Sequence, residues 1–187
     1  MRARRRKSRI PKETGGFDMK HTPAYWIKNL SLEAHPEGGY FAEVFRSAIV
    51  FSSNGLPERY SSNRNLMTSI YFMLEQGNHS AFHRLQSDEN WYFHDGAGIY
   101  IYCLTVGGEL NTLKLGLDPG NGFYPHVTIP AKTWFAAELA DEGTFSLVSC
   151  AVSPGFEYQD FELAEKQKLV KKYPRHKDLI SRLSVEG

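Results

Sequence analysis

Between residues 66 and 152 the chain repeats one pattern: a short apolar or aromatic run, then glycine, proline or aspartate, then another run. The runs fall at 66–74, 80–85, 90–94, 99–106, 109–115, 126–129, 133–139 and 144–152. Their length and their β-branched or aromatic content predict strands. Short strands at such even spacing predict an all-β sandwich or barrel, in which doubling or closing the sheet removes exposed edges. The flanks read differently. Thr22-Pro23 starts a short helix, because threonine caps the first turn and the fixed φ of proline suits the first helical position; Tyr25, Trp26, Ile27 and Leu30 follow. His35-Pro36-Glu37-Gly38-Gly39 breaks that helix, and 40–50 is again extended in pattern. Residues 52–65 are polar, hold Asn54-Gly55 and Pro57, and read as a long hairpin connection or flap. In the tail, 161–172 and 175–183, separated by Tyr173-Pro174, predict two short charged helices.

Composition narrows the class. With 41% hydrophobic and 13% aromatic residues, the chain is too apolar to stay unfolded, and its apolar runs are far shorter than the ~18 residues of a membrane span. Its 187 residues suit one domain, expected at 21–187. Seven of the 22 basic residues lie in the first twelve positions, leaving 15 basic against 21 acidic residues beyond them. Residues 1–20 are therefore expected to be a basic, disordered leader, with Met19 as an alternative start. Its basic stretch, 1–12, lacks interleaved aromatics and a clear amphipathic period, so neither nucleic acid nor membrane is expected as a partner. Cys103 and Cys150 sit inside strand-like segments, where a thiol behaves as a small buried hydrophobe, and a reducing, cytoplasmic setting is expected.

The chemistry concentrates between Gly77 and Gly96. Gly77 is followed after five residues by His83, then by Leu85 and Glu89, and after six more by Gly96. Side chains alternate across a strand, so His83 and position 85 share a face and a hairpin brings Glu89 opposite them. His79 has the parity of His83 but lies roughly 13 Å away at ~3.3 Å per residue, too far to share a ligand with it. His94, five residues after Glu89, is expected on the opposite face, while His126 lies just ahead of Pro130.

This spacing resembles the first motif of the cupin family, and Pro130-Ala131-Lys132-Thr133-Trp134-Phe135 resembles the second. The four metal ligands implied by the resemblance are reduced to His83 and Glu89, with Leu85 and Phe135 at the other two positions and Lys132 where a glycine is expected. Further matches narrow the likeness: His35-Pro36-Glu37-Gly38-Gly39-Tyr40 with Arg46-Ser47, His83-Arg84, Ser87-Asp88-Glu89, Trp91, Ser153-Pro154-Gly155-Phe156 and Asp160-Phe161-Glu162. Together they are similar to the cupin subfamily known as DUF985 or cupin-5, over about residues 30–162. The resemblance implies a double-stranded β-helix, the cupin jelly-roll barrel, commonly as a homodimer. Its relatives include metal-independent sugar-nucleotide epimerases and metal-dependent oxygenases.

In this frame His83 and Glu89 are the expected proton-transfer pair, the carboxylate orienting the imidazole and raising its basicity. Tyr71, on the strand entering the motif with Ser69 on its face, is the expected acid; Tyr40 is the second candidate. Trp91 and Phe93 share the parity of Glu89 and, with Trp134, are expected to offer rings for a sugar or a base. Glu37 and Arg46 flank the cavity, Arg46 as an anion clamp or a structural ion pair. No metal and no cofactor are expected. The partners expected are a small molecule, a sugar or nucleotide-sugar, and a second copy paired through 40–50. The leading expectation is a metal-independent sugar or nucleotide-sugar epimerase or isomerase. The alternatives are a non-catalytic metabolite-binding module and a metal-dependent oxygenase or isomerase with a reduced ligand set.

Overall fold

The computed structural model describes residues 21–140 and 143–185; the basic leader and Met19 lie outside the described residues. Helix α1 (Pro23–Leu30) begins as its sequence predicts, with Thr22 Oγ1 accepting from the Tyr25 amide at 3.2 Å and Pro23 in the first turn. The strands follow as β1 (Glu33–Ala34), β2 (Tyr40–Arg46), β3 (Val50–Phe51), β4 (Arg64–Asn65), β5 (Thr68–Glu75), β6 (His79–Leu85), β7 (Asp88–Gly96), β8 (Ile99–Leu104), β9 (Leu110–Leu115), β10 (His126–Ile129), β11 (Trp134–Leu139), β12 (Phe145–Ser153) and β13 (Phe161–Leu163). Helices α2 (Lys166–Lys172) and α3 (Lys177–Arg182) end the chain.

The long strands form two antiparallel sheets, ordered β1-β2-β5-β12-β7-β10 and β13-β6-β11-β8-β9, beside the small β3-β4 pair. This is the jelly-roll expected from the sequence, built as two facing sheets rather than one closed cylinder. The six-stranded sheet turns Phe72, Leu74, Trp91, Ile129, Val148 and Cys150 inward. From the other sheet, Ile99, Ile101, Leu115, Phe135 and Ala137 meet them. Both outer faces are also covered. Trp26, Ile27 and Leu30 of α1 pack on Met73, Phe145 and Leu147, while Leu169, Tyr173, Ile180 and Leu183 of the tail pack on Phe82, Leu104, Trp134 and Ala136.

The tail departs from expectation at its start. Phe161-Glu162-Leu163 is not the first turn of a helix but strand β13, paired antiparallel to β6 with Phe161 opposite Leu85 and Leu163 opposite His83. Its apolar-polar-apolar alternation suits the open edge of β6, and helix begins three residues later. Lys132 has φ 64°, so it adopts the left-handed conformation that the glycine expected at its position takes without strain.

A bulge in β6 sets which residues face the interior. Along the β6–β11 ladder His83 pairs with Phe135 and Ser80 with Ala137, so Ala81 and Phe82 together oppose Ala136. The extra residue breaks strict alternation: Ser80 and His83 both contact Glu37, whereas Phe82 packs under the tail helices. His79 therefore does not share the face of His83, and it sits beside Glu138 and Arg182 instead.

Candidate functional site

One cavity of about 120 Å³ opens between the sheets, bounded by β2, β5, β6, β7 and the segment leading into β13. Its polar floor comes from two places. The His35–Gly39 turn docks on the start of β6, with the Glu37 carbonyl accepting from the Ala81 amide at 2.8 Å. Glu37 is buried there, its Oε1 accepting from the Ser80 hydroxyl at 2.7 Å and its Oε2 lying 3.2 Å from His83 Nε2. Gly38 makes this approach possible, with φ 109° and space so tight that a Cβ would lie 2.1 Å from the His79 carbonyl oxygen. Gly38→Ala is expected to destabilise the fold by roughly 1–3 kcal/mol or more and to withdraw Glu37 from His83. Urea unfolding reads the first effect, and stability indistinguishable from that of the unsubstituted protein would contradict the tight docking.

The hydrogen bonds of His83 fix where a proton resides. Its Nδ1 lies 2.8 Å from the Ala81 carbonyl, which only accepts, so Nδ1 carries a hydrogen. The contact between Nε2 and Glu37 Oε2 then needs one further proton, shared by the pair. Burial pushes Glu37 up to about 7 and lowers His83, so when the pair holds its further proton that proton sits on Glu37 rather than on the imidazole. His35 adds a second imidazole, its Nδ1 accepting from the Glu37 amide at 3.3 Å, and burial lowers it as well.

Glu89 faces the same cavity from β7, and burial pushes it, too, up to about 7. Its Oε2 is buried without a hydrogen-bond partner, as is Trp91 Nε1, which lies against the same carboxyl without completing a bond. The carboxylate in hydrogen-bonding contact with His83 is thus Glu37 rather than the expected Glu89. Aromatic walls enclose the set, with Phe135 4.1 Å and Phe161 5.4 Å from His83 between ring centroids.

Several expected positions lie elsewhere. Tyr71 and Tyr40 are on the outer face of the six-stranded sheet, packed against the cluster under α1, so neither is an acid facing His83. Ile70 and Phe72 point inward on that strand instead, and Ser69 also lines the cavity. Trp134 is beneath the tail helices with Arg84 4.5 Å over its ring; its neighbour Phe135 takes the interior place. Phe93 reaches the interior at the far end of the sandwich, away from this cavity. His94 is hydrogen-bonded to Ser149 and exposed, and His126 stacks on Tyr92 at 4.5 Å on the outer surface. Arg46 is an ion pair at the cavity mouth, held by Glu43 and Glu157 at 2.8 Å each. His35 and Phe161, which belong to the matched motifs but not to the expected site, also line the cavity; the consecutive glycines after Glu37 are the sequence signal that could have pointed to the close approach placing His35 there.

The metal site implied by the cupin resemblance does not fit this donor set. Leu85 and Phe135 put hydrocarbon at two of the four positions, and among the described residues no three histidine, cysteine, aspartate or glutamate side chains converge as metal ligands.

Residues 24–164 match the model of the family described as Cupin superfamily (DUF985). A solved structure from Shewanella oneidensis is 41% identical, with a TM-score of 0.81 over 89% of this chain and 99% of that one. A hypothetical protein from Leishmania major is 33% identical, with a TM-score of 0.79 over 89% of this chain and 100% of that one. An uncharacterized protein of Saccharomyces cerevisiae is 28% identical over 145 residues, 72% of this chain and 71% of that protein.

Proposed function

Because the chain belongs to the DUF985 family of the cupin superfamily, a fold built around an interior pocket, we propose that its cavity is a metal-independent acid–base site for a small hydroxy-carbonyl metabolite, acting as an isomerase or epimerase. One observation carries the reading: two buried carboxyls, Glu37 and Glu89, are held near 7 in the same apolar cavity, one sharing a proton with an imidazole and the other holding an unpartnered oxygen. A group titrating near the working pH is suited to both giving and taking a proton.

In this mechanism ionised Glu89 takes the proton from the carbon beside the carbonyl. The Glu37–His83 pair gives its shared proton to the carbonyl oxygen as charge develops there. The resulting enediol becomes the isomer when Glu89 returns its proton to the former carbonyl carbon on the same face and the neighbouring hydroxyl gives its proton to the Glu37–His83 pair as it becomes the new carbonyl. Epimerisation follows instead when the enediol turns its other face to Glu89, the original carbon regains a proton there, and the first oxygen's proton returns to the pair. The pair thus takes the role expected of Tyr71. The test is to incubate the full chain with hydroxy-carbonyl compounds in deuterium oxide and follow the C–H signal beside the carbonyl by proton NMR. Loss of signal that depends on Glu89 supports the mechanism, and a full panel without exchange excludes it.

One observation favours a binding-only reading: both ring nitrogens of His83 are engaged by protein groups. That reading expects binding without exchange. The same proposal includes a second copy of the chain and a cytoplasmic setting. Ala42–Arg46 pairs on one side with β5 while exposing Val44 and Phe45, which supports self-association, and the unpaired buried thiols of Cys103 and Cys150 support a reducing compartment. Among the described residues no helix is long and apolar enough to cross a membrane.

A further inference from the structure

We propose that the cavity selects an uncharged, hydroxylated small molecule and rejects phosphate- and carboxylate-bearing ones, nucleotide-sugars included. This rests on reading the cavity as a small-molecule site but not on its acid–base chemistry.

Size comes first. About 120 Å³ is comparable to the ~150 Å³ cavity that accepts benzene, so the interior takes a group of about the bulk of a six-membered ring, and the rest of a nucleotide-sugar would have to lie at the mouth, against Glu43 and Glu157. Hydrogen bonding then selects the functional group. Trp91 Nε1 only donates, whereas Glu89 Oε2 accepts when ionised and can donate when protonated; both are buried and unpartnered. A hydroxyl accepts from Trp91 and donates to Glu89 through the same oxygen, and it serves either state of the carboxyl. An ammonium group cannot accept from Trp91, and an anion would bring like charge against ionised Glu89, with no free cationic group among the described residues of the cavity to offset it.

The mouth reinforces this choice. Among the described residues lining the cavity, Arg46 is the one guanidinium or ammonium group. Its Nε and Nη2 donate to the two Glu43 oxygens, and its Nη1 donates to Glu157, Asn65 and the Phe156 carbonyl. Two carboxylates already neutralise it, so an incoming phosphate meets acidic groups at the mouth as well as on the floor.

Saturation-transfer NMR on the full chain tests the proposal, with glucose, fructose and dihydroxyacetone each set against its phosphate ester. At least one neutral probe is expected to bind, with its ester at least about tenfold weaker. Trp91→Phe keeps a ring but removes the donor, and is expected to weaken that probe by about five- to tenfold. Because Trp91 lies in the core, a second variant guards the test: Glu43→Gln with Glu157→Gln changes only half-exposed positions, unloads Arg46 and should narrow the gap between probe and ester. No binding by any neutral probe, or an ester binding as tightly as its neutral partner, overturns the proposal. A neutral probe that binds without exchanging hydrogen leaves the selectivity intact and removes the acid–base mechanism; an ester that binds and exchanges does the reverse.

Discussion

Glu89→Gln is expected to strengthen the fold above pH 7 while reducing hydrogen exchange by 10²–10⁴-fold, the usual range for a lost general acid or base. The stability effect follows from burial. Glu89 titrates at about 7 in the folded chain against 4.5 for the ordinary side chain, so the folded state holds its proton more tightly. That stabilising difference is complete below about 4.5 and is lost as pH rises through about 7; above it, folding must place a charge inside the cavity. The separation corresponds to about 3 kcal/mol, which glutamine, having no charge to bury, does not lose. Urea unfolding at pH 4.5 and pH 8 reads the effect as a change in the difference between the two proteins, so any constant penalty of the amide cancels. Parallel stability across that range would mean that Glu89 titrates normally. Exchange that survives the substitution would remove Glu89 from the chemistry.

Asp160→Ala is expected to destabilise the fold by about 3–5 kcal/mol, the range for removing one partner of a buried ion pair. The Arg64 side chain is 0% exposed and Asp160 5%, and the guanidinium grips both carboxylate oxygens, at 2.6 and 2.7 Å. Alanine would leave a buried positive charge without its carboxylate, among neutral groups alone at hydrogen-bond distance: the Ser62 and Asn63 carbonyls, the Ser62 hydroxyl and the Gln159 amide. The effect should extend to the cavity, because Asp160 immediately precedes Phe161 on its wall. A double variant, Arg64→Leu with Asp160→Leu, separates charge from packing: it should recover much of the loss, since neither charge remains to be satisfied. A single-variant loss under about 1 kcal/mol would show that the pair behaves like an exposed one.

The strands were legible because turn residues punctuate them regularly, and 126–129 falls on the boundaries of β10. Which way their side chains point was less legible. In β5 and β11 apolar residues occupy both faces, because one face meets the core and the other is roofed by α1 or by the tail helices. Alternation then carries no polar signal to tell inside from outside, and Tyr71 and Trp134 were placed on the wrong side. His83 and Glu89 carried their signal in spacing and do face one cavity, whereas the contact of Glu37 with His83 spans a turn and a separate strand. Strand β13 was hidden because three residues become a strand only when an edge awaits them.

The bulge in β6 also ties the pocket to the tail. Ser80 and His83 serve the cavity, while Phe82 between them anchors the tail, its amide donating to the Leu183 carbonyl at 2.8 Å. Insertion or deletion of a single residue here would exchange the two sets of side chains at once. Pocket and tail therefore share one strand: a chain that lost its C-terminal helices would bare Phe82 on the same segment that holds its histidine.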